Sequence, residues 1–108
     1  MVNQQTDLEL NLLADIDQVI HASARLMVVT YLYVVESVDF VFLKNMTGLT
    51  WGNLSTHLTK LEEAGYIAID KEFNGKKPHT TIRLTKQGRS AFREYKKSMK
   101  QILDDLPE

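Results

Sequence analysis

The feature that most constrains this chain is residues 50–65, with the sequence TWGNLSTHLTKLEEAG. Thr50 is a residue type that caps helix N-termini, and Gly65 is the type that most readily adopts the left-handed conformation after a helix. Between them, three leucines recur at the i, i+4, i+7 spacing of one helix face: Leu54, Leu58 and Leu61. The stretch therefore predicts a helix with defined ends and a narrow leucine face against a core.

The opposite side of this predicted helix carries small, uncharged, hydrogen-bonding residues in its N-terminal half. At 100° per residue, that side and its edges hold Gly52, Asn53, Ser55, Thr56, Thr59, Lys60 and Glu63. A solvated helix more often has Glu and Lys at such positions. Small polar groups beside a helix N-terminus can approach base edges and phosphates closely. We therefore interpret the stretch as a recognition helix for DNA, the alternative being a plain solvated face.

Charge is distributed unevenly, although the net formal charge of the 108 residues is −1. Residues 1–43 contain one cation and six anions, whereas residues 44–100 contain twelve cations and five anions. A basic half beside an acidic half is expected where one face meets a polyanion. Because surface lysines also serve solubility, charge alone does not decide the partner.

The chain contains no cysteine, which excludes disulfides, thiolate metal sites and a cysteine nucleophile, and fits a reducing compartment. The N-terminus lacks a basic segment followed by an apolar one, so we expect no signal peptide and a cytoplasmic location. The three histidines, at positions 21, 57 and 79, lie on separate elements without metal-ligand spacing. We find no phosphate-binding loop or nucleophile motif, and we predict no enzyme activity, no metal and no cofactor.

The remaining elements follow from periodicity and turn signals. Residues 24–36 are rich in β-formers, but their length and the lack of an internal turn favour a helix. Asn74-Gly75 is a strong two-residue hairpin signal between two strand-like segments. The predicted order is helix Leu8–His21, helix Ala24–Glu36, strand Val38–Phe40, helix Val41–Thr47, helix Thr50–Ala64, strands Tyr66–Phe73 and His79–Leu84, and helix Thr85–Asp105.

This order, with the phrases LSTHLTKLEEAGYI and TTIRLTKQGR, resembles the winged-helix transcriptional regulators of the MarR/ArsR-like type, the small stand-alone prokaryotic form. The resemblance covers about residues 25–95. It implies a winged helix-turn-helix, a mainly α fold with a small antiparallel β-hairpin wing (α+β). It also implies a homodimeric regulator on palindromic operators, with helix 50–64 in the major groove and the wing, residues 74–78, on the backbone or in the minor groove. The length predicts a single domain of residues 1–108, and the apolar periods predict an extra N-terminal helix and a long C-terminal helix beside the winged core.

The candidate DNA-binding residues lie on the recognition helix, at the hairpin tip and on the return strand. Trp51 either meets a sugar-phosphate backbone or covers the edge of the core. Gly52 either permits close approach to DNA or is merely tolerated in the first turn. The full candidate set is Trp51, Gly52, Asn53, Ser55, Thr56, Lys60, Lys76, Lys77, His79 and Arg83.

The N-terminal helix is either a lid on its own domain or, as we favour, a strip of the dimer interface together with the last helix. The candidate dimerisation residues are Leu8, Leu12, Ile16, Val19, Tyr95, Met99, Ile102 and Leu103. The cations of the last helix, at positions 89, 93, 96, 97 and 100, are expected on its solvated face. Whether a small-molecule effector binds is left open.

Two functions from different classes remain. The first is a sequence-specific, homodimeric DNA-binding regulator with duplex DNA as its partner. The second is a winged-helix module for protein–protein contact in a transcription or repair assembly, which the net charge of −1 favours. Salt-sensitive binding to duplex DNA separates the two.

Overall fold

A computed structural model describes residues 12–108 of the chain. In chain order its elements are helix α1 (Ser23–Val35), strand β1 (Ser37–Asp39), helix α2 (Phe40–Thr47), helix α3 (Trp51–Glu63), strand β2 (Ile67–Asn74), strand β3 (Lys77–Leu84) and helix α4 (Lys86–Asp104). The three strands form one antiparallel sheet in the order β1-β3-β2. The predicted α+β winged-helix class is confirmed.

The main core lies between α1, α2, α3 and the sheet. Leu54, Leu58 and Leu61 are all buried there, as the leucine face of residues 50–65 predicts. Helix α1 forms despite its β-forming composition because Val28, Val29 and Leu32 fall on one helical face and are completely buried. Burial of that face outweighs the weak local preference for a strand.

The hairpin turn lies one residue later than predicted. Asn74 pairs with Lys77, so Gly75 and Lys76 form the two-residue turn. Gly75 has a φ of 71° while Lys76 has a negative φ, which is the pattern of a type II′ turn. The buried face sets this register, because it places Ile67 opposite Leu84 and Ile69 opposite Ile82. A turn at Asn74-Gly75 would have put Ile69 opposite a threonine.

The predicted helix Leu8–His21 is wrong over its second half. Residues 1–11, which include the predicted interface residue Leu8, lie outside the described residues, and helical structure ends at Ala14. The side chain of Asp17 then accepts hydrogen bonds from the backbone N–H groups of Val19 and Ile20, at 2.9 and 3.2 Å. These bonds compete with helical ones and close a turn instead.

The segment after this turn packs on its own chain. Ile16 and Ile20 are buried with Tyr95 and Ile102 of α4 in a second apolar cluster. The Tyr66 hydroxyl donates to the Asp17 carboxylate at 2.5 Å. Residues 12–22 therefore pack on their own domain, as the lid alternative predicts, and a role in a dimer interface stays a prediction.

Helix α4 begins with the predicted cap, since the Thr85 hydroxyl accepts from the Gly88 N–H at 3.0 Å. Four of its five cations are exposed as expected, and only Arg89 is partly buried. Arg89 lies over the Tyr33 ring, 4.7 Å from the centroid, and the exposed Arg93 donates to the Tyr33 hydroxyl at 3.2 Å. These contacts fasten α4 to α1. Within residues 12–108, none of the helices is long and apolar enough to cross a membrane.

Candidate nucleic-acid interface

Helices α2 and α3 form a helix-turn-helix in which the end of α2 and the start of α3 are both capped. Gly48 follows the last residue of α2 and has a left-handed φ of 71°, and α3 starts three residues later at Trp51. The Thr50 hydroxyl caps α3 by accepting from the Asn53 N–H at 3.1 Å. With the leucine face of α3 fixed in the core, the orientation of its outer side is fixed too.

The outer side of α3 is open at its N-terminal half. Asn53, Ser55 and Thr56 are all exposed. The Thr56 hydroxyl donates to the Gly52 carbonyl at 3.0 Å, which leaves its oxygen able to accept a bond from outside. A Cβ on Gly52 would meet no atom within 4 Å. The fold itself therefore gives no reason for glycine at this position.

A groove of about 410 Å³ separates α3 from the β2–β3 hairpin. Ser55, Thr59 and Glu62 line it from the helix, and Lys71 and Thr80 line it from the strands. Phe40, Leu58 and Ile69 complete its lining. The helix and the hairpin thus present two neighbouring ridges to a partner.

Trp51 is 53% exposed at the start of α3. Its ring stacks on Phe40, with centroids 5.3 Å apart and an angle of 3° between the planes. The Lys44 ammonium group lies 5.1 Å from the Trp51 centroid. One face of Trp51 therefore covers Phe40 at the edge of the core, as one of the two alternatives predicts, while contact of its exposed part with a DNA backbone stays a prediction. Sequence analysis missed Lys44, which this contact places beside the helix start.

On the other flank of α3, His57 is held by Arg25. An Arg25 guanidinium nitrogen lies 3.0 Å from His57 Nδ1, and Arg25 also donates to the Val19 carbonyl. Burial, followed by the charges of Arg25 and Lys60, lowers the pKa of His57 below its ordinary value. A neutral imidazole accepting from Arg25 joins α3 to the N-terminal segment. Lys60, one turn further along α3, is exposed.

The two faces of the β2–β3 hairpin differ in charge. We define the groove face as Ile69, Lys71, Phe73, Pro78 and Thr80, because the register continues it from the half-buried Ile69 and its buried partner Ile82. By the same alternation, the outer face is Asp70, Glu72, Asn74, Lys77, His79, Thr81 and Arg83. Both acidic residues of the hairpin lie on the outer face.

This arrangement divides the predicted contact residues. Lys76 lies in the turn, but Lys77, His79 and Arg83 lie on the outer face, away from α3. Arg83 also forms an ion pair with Asp70, with Nε and Oδ2 3.3 Å apart. The structure therefore brings Gly52, Asn53, Ser55, Thr56 and Lys60 together on α3, and does not bring His79 and Arg83 to them.

The pKa of Tyr66 is shifted by a contact that holds the fold together. Burial, and then its hydrogen bond to the Asp17 carboxylate, raise the pKa of Tyr66 to about 12. The neutral phenol therefore keeps donating to Asp17 across the physiological range. In the part of the chain that the structure describes, no three His, Cys, Asp or Glu side chains are grouped to hold a metal ion.

A family model described as a winged helix DNA-binding domain matches residues 24–103. The chain belongs to this family. An uncharacterized protein of Methanocaldococcus jannaschii is 36% identical over 78 residues, which are 72% of this chain and 85% of that protein. The resemblance to winged-helix regulators is thereby confirmed.

Two solved structures share the fold of this winged-helix chain. The transcriptional regulator homologue protein from Pyrococcus horikoshii OT3 superposes with a TM-score of 0.81 and 25% identity, over 91% of this chain and 98% of that chain. The crystal structure of NadR in complex with 4-hydroxyphenylacetate gives a TM-score of 0.66 at 23% identity, over 93% of this chain and 66% of that chain. Family and fold are those of DNA-binding transcriptional regulators.

Proposed function

We propose that this winged-helix protein is a homodimeric regulator that binds duplex DNA with α3 in the major groove and the hairpin turn on the adjoining backbone or minor groove. One observation carries the proposal. The N-terminal half of α3 offers an uncharged, exposed, hydrogen-bonding surface whose glycine is not required by the fold, and the hairpin lies beside it across a groove.

The residues have distinct roles in this proposal. The Asn53 amide can pair with adenine through two hydrogen bonds, and Ser55 and Thr56 can meet a base edge or a phosphate. Gly52 lets the helix backbone approach. Lys60 and Lys76 neutralise phosphates. We leave His79 and Arg83 out of the contact set, because they lie on the outer face and Arg83 already pairs with Asp70.

The salt dependence of binding tests this proposal. A duplex is first selected from a random pool with the wild-type protein. If Lys60 and Lys76 of both subunits meet phosphates, the slope of log K against log [salt] for the dimer is about −4, and about −5 if Lys77 does so too. Replacing Lys76 and Lys77 with alanine should reduce the slope by about 2 if Lys76 alone meets a phosphate, and by about 4 if both do.

The matched control is the double variant Lys96→Ala/Lys97→Ala, which removes the same charge from exposed positions of α4. Its slope should stay within about 0.5 of the wild-type value. Equal slopes for the two double variants would contradict a DNA-contacting turn. Absence of any salt-sensitive binding by the wild type would favour the protein-contact module instead.

The proposed dimer surface is narrower than the eight residues predicted for it. Ile16, Tyr95 and Ile102 fill the interior of their own chain. Apolar side chains remain exposed at Leu12 (39%) and Leu103 (57%), and at Leu106 (41%) beyond the end of α4. We therefore place the interface at the C-terminal end of α4. Of the other predicted residues, Met99 is half-buried against the second cluster and Val19 is half-buried against the main core.

Sedimentation equilibrium tests this surface. The wild type should sediment as twice 12.4 kDa. Leu103→Glu should weaken self-association at least about tenfold, because a charge would be desolvated at the interface. Val34→Glu is the control, since Val34 is 76% exposed on α1. A Leu103→Glu protein that associates as strongly as the control would contradict the placement.

A further inference from the structure

Phe73 is the most exposed large apolar residue on the hairpin, with 77% of its surface accessible. It lies one residue before Asn74, which flanks the turn, and Pro78 lies directly opposite it on β3. Both side chains belong to the groove face. The hairpin tip thus carries an apolar pair that the rest of residues 12–108 leaves uncovered.

On the hairpin itself, the groove face around this pair carries a cation and no acid; Glu62 lines the groove from α3. Lys71 precedes Phe73 on the groove face, and Lys76 lies in the turn. Asp70 and Glu72 are both on the outer face, so no carboxylate of the hairpin lies on the side of Phe73. An apolar tip between cations is complementary to a DNA groove, whose sugar walls are apolar and whose edges are phosphates.

The position of Phe73 along the strand gives it reach. Lys71 lines the groove beside α3, and Phe73 lies two residues further out, which is about 7 Å along an extended strand. When α3 occupies the major groove, Phe73 therefore lies against the neighbouring part of the duplex surface. Phe and Pro are among the apolar side chains that proteins insert at the minor groove.

We propose that Phe73, supported by Pro78, enters the minor groove beside the segment bound by α3 and selects for A·T pairs there. This inference rests on the proposed function and adds a specificity-determining residue to it. The 2-amino group of guanine projects into the minor groove and obstructs the ring, whereas A·T pairs leave that space open. Selectivity at the flank then comes from groove shape and not from charge.

The test uses the 108-residue chain and two duplexes. The first is the sequence selected by the wild type, and the second has 2,6-diaminopurine in place of adenine beneath the hairpin. This base adds a minor-groove amino group and keeps the major-groove edge of adenine. The wild type should bind the second duplex about tenfold more weakly, equivalent to about 1.4 kcal/mol.

Phe73→Ser should bind the unmodified duplex about tenfold more weakly and respond less than about twofold to the modified base. Its salt slope should equal that of the wild type, because no charge is lost. Val34→Ser, which removes an apolar side chain of 76% exposure from α1, is the control and should behave as the wild type. Thermal unfolding of both variants should match the wild type, since both positions are exposed.

A Phe73→Ser protein that binds as tightly as the wild type would overturn the inference and leave the proposed function standing. So would a variant that binds weakly but still responds tenfold to the modified base, because the ring would then lie outside the minor groove. Absence of salt-sensitive binding by the wild-type protein itself would overturn the proposed function and this inference together.

Discussion

Replacing Gly88 with alanine is expected to lower the free energy of unfolding by about 3 kcal/mol, near the upper end for an overpacked site. A Cβ on Gly88 would lie 2.1 Å from the Tyr66 carbonyl oxygen and 2.9 Å from Leu84 Cδ1. The Tyr66 carbonyl is backbone and already accepts from the Thr85 N–H at 3.0 Å, so it cannot move away freely. Helix α4 would have to separate from the segment between α3 and β2.

Chemical denaturation and thermal unfolding measure this effect, and about 3 kcal/mol corresponds to a fall in Tm of roughly 12 °C or more for a chain of this size. Gly52→Ala is the matched control, because it makes the same change in a helix where nothing lies within 4 Å. That variant should gain about 0.5–1 kcal/mol from the better helix propensity of alanine. A Gly88→Ala protein as stable as Gly52→Ala would contradict the close packing of α4 on Tyr66.

The sequence alone did not predict the close packing at Gly88, whereas it did predict the burial of the leucine face of α3. Leu54, Leu58 and Leu61 are spaced by the helix period, and the hydroxyls of Thr50 and Thr85 cap helices from adjacent positions, so local rules suffice. Gly88 is required by the backbone of a residue 22 positions away. Such contacts between distant segments leave no periodic signal.

Two local predictions failed because a neighbouring interaction prevailed. Asn74-Gly75 is a good turn sequence, but the register follows the buried pairs of isoleucine and leucine. The apolar period of residues 8–21 favours a helix, yet the Asp17 side chain caps a turn within it. In each case the sequence supported two structures, and packing or a side-chain hydrogen bond chose between them.

The candidate site was predictable on α3 and less so on the hairpin. The exposure of Asn53, Ser55 and Thr56 follows directly from the leucine face. The outer-face position of His79 and Arg83 follows from strand alternation once Ile82 and Leu84 are taken as buried, and so does the groove-face position of Phe73. Lys44 had no such signal, because its contact with Trp51 depends on the angle between α2 and α3.

The second large effect is expected from Thr56→Glu. Thr56 is exposed at the middle of the outer side of α3, so a glutamate there should change stability by less than about 0.5 kcal/mol. In a DNA complex the carboxylate would face phosphates, and it would also pair with Lys60 one turn later. Like charges at an interface cost several kcal/mol, so affinity for DNA should fall about 100-fold or more.

The most direct test of DNA recognition by α3 is therefore the dissociation constant of Thr56→Glu for the selected duplex at fixed salt. It is compared with Ser90→Glu, which adds the same charge at an exposed position of α4. We expect Thr56→Glu to bind about 100-fold more weakly than Ser90→Glu while both unfold at the wild-type temperature. Dissociation constants within about twofold of each other would contradict the placement of α3 against DNA.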